Sequence, residues 1–140
     1  MKRFCLKLGV MCSLLLAGAA QTFALDGVVI ANPGVAAASL SADALKDIYN
    51  GKTKYWEGGQ AIIIVVLNGK TDAALQQASG MDASQFKTFW QRLAFSGRGQ
   101  EPKKVDDVAA LLSIIASTKG AIALAPADVG GDGVKKIQVQ

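Results

Sequence analysis

The chain contains no histidine and only two cysteines, Cys5 and Cys12, both near its start. Residues 25–140 therefore lack thiols and imidazoles, which excludes disulfides, cysteine nucleophiles, histidine bases and the usual zinc or haem ligands there. No nucleophile-elbow motif offsets this lack, so a hydrolase is the weakest of the candidate functions. We expect no catalytic residues, no metal, no other cofactor and no enzymatic activity.

The chain also lacks a large excess of charge of one sign once its first segment is set apart. It carries 15 basic and 11 acidic residues, a net charge of +4. Three of the basic residues and none of the acidic ones lie in residues 1–24, which leaves +1 for residues 25–140. A protein that neutralises phosphate backbones needs a basic surface. We therefore expect no nucleic-acid partner.

Residues 1–24 have the three zones of a secretory signal peptide. Lys2 and Arg3 give a positive start, an apolar run follows over residues 8–20, and Thr22-Phe23-Ala24 offers small residues for cleavage. The apolar run is shorter than the ~20 residues of a spanning helix, so cleavage after Ala24 is favoured over a retained membrane anchor. A cut after Ala20 is an earlier alternative. We predict a signal peptide over 1–24, one domain over 25–140, a periplasmic location and no stable membrane insertion after cleavage.

Residues 25–140 alternate between short apolar strands and amphipathic helices. Strands are predicted at 28–31, at 61–67, at 121–125 and, as an edge strand, at 134–139. Helices are predicted after Ser41, from the turn at 68–71 to Gly80, after Asp82, and from about 108 to 115. The run AIIIVVL at 61–67 is typical of a central strand covered on both faces. This order predicts an α/β domain with a mixed, mainly parallel sheet flanked by helices.

The turn Asn68-Gly69-Lys70-Thr71 is the first candidate ligand site. It joins the central strand to a helix, whose first N–H groups have no partner within the helix and carry the positive end of its dipole. Gly69 allows close approach, Lys70 supplies a charge and Thr71 a hydroxyl, at the strand end where α/β sheets commonly bind ligands. The alternative is an ordinary turn with Thr71 capping the helix, while Asp72 repels a nearby anion.

Arg98 is the second candidate, with Ser96 close by in the segment SGRGQEP. Glycines on both sides would let its guanidinium approach an anion with two parallel hydrogen bonds. The alternative is a flexible surface loop in which Gly97 and Gly99 only turn the chain. Loop residues carry function more often than core residues, which leaves both interpretations open.

The segment SLSADALKDIYNGKTKYWEGG resembles phosphate-type periplasmic substrate-binding proteins, in which a short helix leads into an I-(F/Y)-x-G-K-x-x-x-W motif. Ile48, Tyr49, Gly51, Lys52 and Trp56 stand in those places. The likeness continues through AIIIVVL, the aromatic helix and TKGAIALAPADVGGDGVKKIQV. It implies a periplasmic-binding-protein-like fold of the second type and a small, phosphate-like oxyanion as ligand.

The chain departs from that family in two ways. Full-length members enclose the ligand between two lobes, whereas this chain is long enough for a single lobe. They also carry a Gly-Ser-Gly-Thr turn preceded by arginine. Here Gly69 and Thr71 match, but the serine has no counterpart and Leu67 stands in place of the arginine. The resemblance implies a weak anion-binding module for uptake or sensing, or a protein-interaction domain that kept the fold, lost the ligand, and docks on an envelope protein or on itself.

Overall fold

The computed structural model describes residues 25–131 and 133–140, so the predicted signal peptide over residues 1–24 lies outside the described residues. This part of the chain forms six strands and four helices. The strands are β1 (Val28–Ala31), β2 (Ser39–Leu40), β3 (Ile63–Leu67), β4 (Lys103–Val105), β5 (Ala121–Ala125) and β6 (Lys135–Val139). The helices are α1 (Ala42–Tyr49), α2 (Asp72–Ser79), α3 (Ala83–Phe95) and α4 (Val108–Ser117). None of these four helices is both long enough and apolar enough to cross a bilayer.

The strands form one sheet in the order β2-β6-β1-β5-β3-β4. β3 runs parallel to both of its neighbours, and β2 is parallel to β6. β1 runs antiparallel to β5 and to β6. The sheet is therefore mixed and mostly parallel, which confirms the predicted fold class.

Helices cover both faces of this sheet. On one face α1, α2 and α3 pack through Leu45, Leu75, Phe86 and other buried residues. α4 covers the opposite face through Leu111 and Ile115. β3 contributes to both cores, because alternate side chains of a strand point to opposite faces. Residues 63–67 of the run AIIIVVL thus form a strand covered on both faces, as predicted, but this strand lies next to the edge strand β4 and not at the centre of the sheet.

The helix boundaries follow local signals in the sequence. The Ser41 side chain accepts a hydrogen bond from the Ala44 N–H at 3.0 Å and caps α1. Asp82 and Gln85 form the reciprocal capping box that begins α3. α2 ends at Gly80, whose φ of 78° is left-handed and favours glycine.

A second strand is also placed wrongly by the sequence, and two are missed. β6 is not an edge strand, because it pairs with β1 on one side and with β2 on the other. β2 and β4 are two and three residues long, so neither shows an alternating or continuous apolar pattern. These two short strands form the edges of the sheet.

Candidate functional site

The turn at 68–71 connects the carboxyl end of β3 to the first residue of α2. Gly69 has a left-handed φ of 79°, and no atom would lie within 4 Å of an added β-carbon. Residues 68–70 form a hydrogen-bonded turn, whereas within the described residues no protein group accepts a hydrogen bond from the backbone N–H of Gly69 or Asp72. The turn therefore leaves these two backbone donors unpaired at the end of β3.

Thr71 does not perform either task expected of its hydroxyl. It occupies the N-cap position of α2, yet its side chain makes no capping hydrogen bond. Instead its Oγ1 donates to the Leu67 carbonyl at 3.1 Å, and the residue is only 4% exposed. The Thr71 hydroxyl is therefore used within the turn itself. The backbone amides and Lys70 are the groups that remain available to a ligand.

The Asn68 side chain also has a structural partner. Its Nδ2 donates to Asp106 Oδ1 at 2.8 Å, and its backbone N–H donates to the Val105 carbonyl. These two bonds attach the end of β3 to the residues that follow β4. They also hold the Asp106 carboxylate close to the turn, where it opposes an anion.

A cavity of about 530 Å³ opens beside this turn, and we name it the turn cavity. Asn68 and Gly69 line it, whereas Lys70 and Thr71 do not. Its charged lining consists of two cations and two carboxylates: Lys87, Lys104, Asp72 and Glu101. The turn cavity is thus balanced in charge, and any attraction for an anion comes from the unpaired amides.

Arg98 lies at the end of α3, and its backbone is fixed by that helix. The Arg98 N–H donates to the Leu93 carbonyl at 2.9 Å, and the Gly97 N–H donates to the Ala94 carbonyl at 3.1 Å. With Gly97 at a φ of 73°, these bonds form the Schellman motif that ends many helices. Gly97 is therefore needed to end α3, a role that the glycine-flanked arginine did not suggest.

Gly99 has a packing role of its own. A β-carbon at this position would lie 3.2 Å from the Trp90 ring. The Ser96 hydroxyl donates to the Leu93 carbonyl at 3.0 Å and lines neither of the cavities described here. Of the two ligand residues predicted in this loop, Arg98 lines a cavity and Ser96 does not.

That second cavity has a volume of about 430 Å³, and we name it the arginine cavity. It lies at the other end of β3 from the turn, against residues 61–64. The two cavities share Trp90 and Glu101 in their linings, so they are neighbours on the α3 side of the sheet. The predicted residues therefore lie on one side of the molecule but do not converge on one site.

Sequence reasoning missed most of the charged residues around the two cavities. Lys54 and Lys103 line the arginine cavity, and Lys87 and Lys104 line the turn cavity. The doublet Lys103-Lys104 between Pro102 and Val105 is the one signal that could have drawn attention to them. Alternation along β4 places the two side chains on opposite faces of the sheet, with Lys104 on the α3 face beside Val66.

The described part of the chain offers little for acid–base catalysis or for metal binding. Burial raises the pKa of the Tyr49 hydroxyl well above its ordinary value, and this residue belongs to the core. The described residues contain no cluster of three side chains suited to hold a metal ion. The chemistry of the two cavities is therefore that of hydrogen-bond donors and fixed charges.

No protein-family model and no curated protein matches the chain. Among solved structures it is similar to a putative phosphate ABC transporter substrate-binding protein with bound phosphate from Clostridium perfringens, at a TM-score of 0.63 and 21% identity. It is also similar to an ABC-type phosphate transport receptor from Vibrio cholerae, at a TM-score of 0.56 and 17% identity. The alignments cover 84% of this chain but 46% and 48% of those proteins, so the chain spans about half their length. These likenesses confirm a periplasmic-binding-protein-like fold.

Proposed function

We propose that this chain is an exported binding domain of the periplasm that holds a small, phosphate-like oxyanion for uptake or sensing. The fold supports this role, because a solved protein of similar fold is described with bound phosphate. A signal peptide over residues 1–24 would direct export, and residues 25–140 would form the domain. No step of this function requires catalysis or a cofactor.

The observation that carries the proposal is the set of unpaired amides at the start of α2. The N–H groups of Gly69 and Asp72 have no acceptor among the described residues, and both residues are exposed. The positive end of the α2 dipole adds to them, and such a helix start suits an anion. Lys70 is exposed beside these amides, where its ammonium can reach a bound oxyanion.

Two features of the site predict weak binding. Asp72 begins α2, and Asp106 is held beside the turn by Asn68, so two carboxylates oppose the incoming anion. Gly69, Lys70 and Asp72 are also exposed to water, which screens the charges of the site. The affinity should therefore fall as the salt concentration rises.

Phosphate titrations of the 15N-labelled domain test this site. We expect saturable shifts of the amide signals from Gly69 to Asp72 at constant ionic strength. Lys70→Ala should weaken binding about two- to fivefold, since an exposed charge pair contributes up to ~1 kcal/mol. Asp72→Asn should strengthen it by a similar factor, because a repelling charge is removed.

Lys119→Ala is the matched control, because Lys119 is an exposed lysine in the turn before β5. It should leave the phosphate affinity unchanged. Phosphate or sulfate shifts that spread over exposed lysines without involving the 69–72 amides would contradict the proposed site. A Lys119→Ala variant as weak as Lys70→Ala would contradict it as well.

A protein-interaction domain is the second candidate function, and one residue favours it. Phe95 at the end of α3 is 96% exposed, which is unusual for a large apolar side chain. An exposed apolar side chain marks a contact with another protein when it belongs to a contiguous apolar patch. If Phe95→Ser abolishes self-association in light scattering or capture of an envelope protein, while Lys70→Ala does not, this second function is the correct one.

A further inference from the structure

The arginine cavity has fixed walls on both sides. Residues 54–62 form a tight hairpin, in which the Trp56 N–H donates to the Gln60 carbonyl at 2.8 Å and the Ile62 N–H donates to the Lys54 carbonyl at 2.9 Å. The opposite wall is the segment that ends α3, whose backbone is held by the Schellman motif. The cavity is therefore built by regular local structure and does not depend on a loose loop.

The charges around the arginine cavity are strongly unequal. Lys54, Arg98 and Lys103 line it, against the single carboxylate of Glu101. Within the described chain none of these three cations has a protein acceptor or a carboxylate partner, whereas the Lys135 ammonium donates to the Val35 carbonyl at 2.9 Å. Lys103 pairs with Val65, whose side chain packs under α4, so Arg98 and Lys54 are the two unpaired cations left on the α3 side to attract an anion.

The floor of the arginine cavity is apolar. Ile62, Ile64 and Trp90 line it, and Trp90 is 6% exposed. The indole Nε1 already donates to the Tyr49 carbonyl at 3.0 Å, so the ring has no polar hydrogen left for a ligand. Tyr55 lies at the rim with 63% of its surface exposed, so its aromatic ring is free to pack on a bound ligand.

We propose that the arginine cavity is a second ligand site, which takes a small organic anion with an apolar or aromatic body. Arg98, with Lys54, would hold the acidic group, while the apolar body of the ligand would pack on Trp90 and Ile62. A volume of about 430 Å³ falls within the range of small-molecule pockets and is too small for a folded partner. This site is independent of the oxyanion proposed at α2, because it uses different residues at the other end of β3.

Phenylacetate is a suitable probe, because it joins a carboxylate to an aromatic ring. Titrated into the 15N-labelled domain, it should shift the amide signals of Gly97, Arg98 and Tyr55 in a saturable manner and leave those of Gly69 and Lys70 in place. Inorganic phosphate should not displace it, and 2-phenylethanol should bind at least about tenfold more weakly because it lacks the charge.

Arg98→Ala should weaken phenylacetate binding about tenfold or more, since a charge-assisted hydrogen bond is lost. The backbone bond from residue 98 to Leu93 remains in this variant, so the fold is retained. Arg92→Ala is the matched control: Arg92 is an exposed arginine of α3 outside both cavities, and its removal should change the affinity less than about twofold.

The inference would be overturned by the absence of saturable shifts up to about 20 mM phenylacetate, by equal weakening by Arg98→Ala and Arg92→Ala, by equal binding of 2-phenylethanol, or by displacement by phosphate. Lys70→Ala separates the two proposals: it should weaken phosphate but not phenylacetate. If it weakens both, the cavities act as one site and the inference is wrong.

Discussion

Glycine is required at position 120 for two reasons, the backbone angle there and the atoms that surround it. It lies between α4 and β5 with a left-handed φ of 79°, and an added β-carbon would overlap the Ala61 carbonyl oxygen. Its own carbonyl accepts hydrogen bonds from the Trp56 indole at 3.0 Å and from the Ile63 N–H at 3.1 Å. The backbone around this residue is therefore unable to move aside.

We predict that Gly120→Ala lowers the free energy of unfolding by more than about 2 kcal/mol, because it adds a steric overlap to the cost of the left-handed angle. Gly69→Ala is the matched control, since Gly69 has the same φ of 79° and open space around it. It should cost about 1 kcal/mol. Urea denaturation of the two variants measures both values, and equal losses would contradict the overlap.

Tyr49 is a buried tyrosine whose hydroxyl has no hydrogen-bond partner among the described residues. A buried hydroxyl without a partner costs about 1–3 kcal/mol. Tyr49→Phe should therefore leave the protein equally stable at neutral pH, or stabilise it by about 1 kcal/mol. Tyr55→Phe, at an exposed position, should have no effect.

The same residue predicts a dependence on alkaline pH. Burial raises the pKa of the Tyr49 hydroxyl in the folded state, so the unfolded state loses its proton first. The titration of Tyr49 therefore leaves the stability unchanged below its ordinary pKa of about 10, and above that pH the stability falls by about 1.4 kcal/mol per pH unit. Urea denaturation between about pH 8 and 11 should show Tyr49→Phe losing less stability than the wild type and Tyr55→Phe.

At the scale of secondary-structure elements, Asn32 connects the end of β1 to the end of α4. Its Nδ2 donates to the carbonyls of Ile115 and Ala116 at 3.0 and 3.1 Å, and its Oδ1 accepts from the Gly34 N–H at 2.9 Å. The side chain is 7% exposed. It therefore supplies the hydrogen-bond donors that the last carbonyls of α4 lack.

We predict that Asn32→Asp costs about 2–4 kcal/mol at pH 7, because it removes both donors and places a negative charge at the negative end of α4. This aspartate would have a raised pKa when folded, so part of the loss should be regained at acidic pH. Asn50→Asp is the matched control: Asn50 donates to the Lys46 carbonyl at 2.8 Å but is half-exposed. A larger loss for Asn50→Asp in urea denaturation would contradict the prediction.

The sequence predicts elements well where their signals are local. The caps Ser41 and Asp82 and the apolar run of β3 lie within a few residues of the structure that they specify. β4 is missed because it becomes a strand only by pairing with β3, which lies about 40 residues earlier in the chain. The position of β6 between β1 and β2 likewise depends on distant partners.

The candidate site is predicted only in part, for a related reason. The turn after β3 is a local feature, and its unpaired amides follow from the strand and helix around it. The sequence suggests a ligand or capping role for Thr71, because it does not show that the Thr71 hydroxyl donates to the Leu67 carbonyl. The separation of Arg98 from Gly69 depends on where Trp90 packs, which is a property of the assembled core.

At the scale of the whole molecule, the two cores share a single sheet. Both tryptophans belong to the core under α1, α2 and α3, whereas Leu111 lies in the core under α4. Because β1, β3 and β5 contribute to both cores, loss of packing on one face should destabilise the other. The domain should therefore unfold in one cooperative transition.

We predict that Leu111→Ala lowers the unfolding free energy by about 2–5 kcal/mol, as expected for a fully buried leucine. Tryptophan fluorescence and far-ultraviolet circular dichroism should shift to the same lower urea concentration, although the tryptophans lie on the other face. Leu112→Ala, at a half-buried position, should cost clearly less. Two separate transitions would show that α4 unfolds independently.

The two short edge strands affect how copies of the molecule meet in solution. A long, bare strand at the border of a sheet invites another chain to extend it, which is a common route to fibrils. β2 offers two residues for such pairing, and β4 offers three, two of which are lysines that repel a second copy. We therefore expect concentrated preparations to stay free of amyloid-type aggregates.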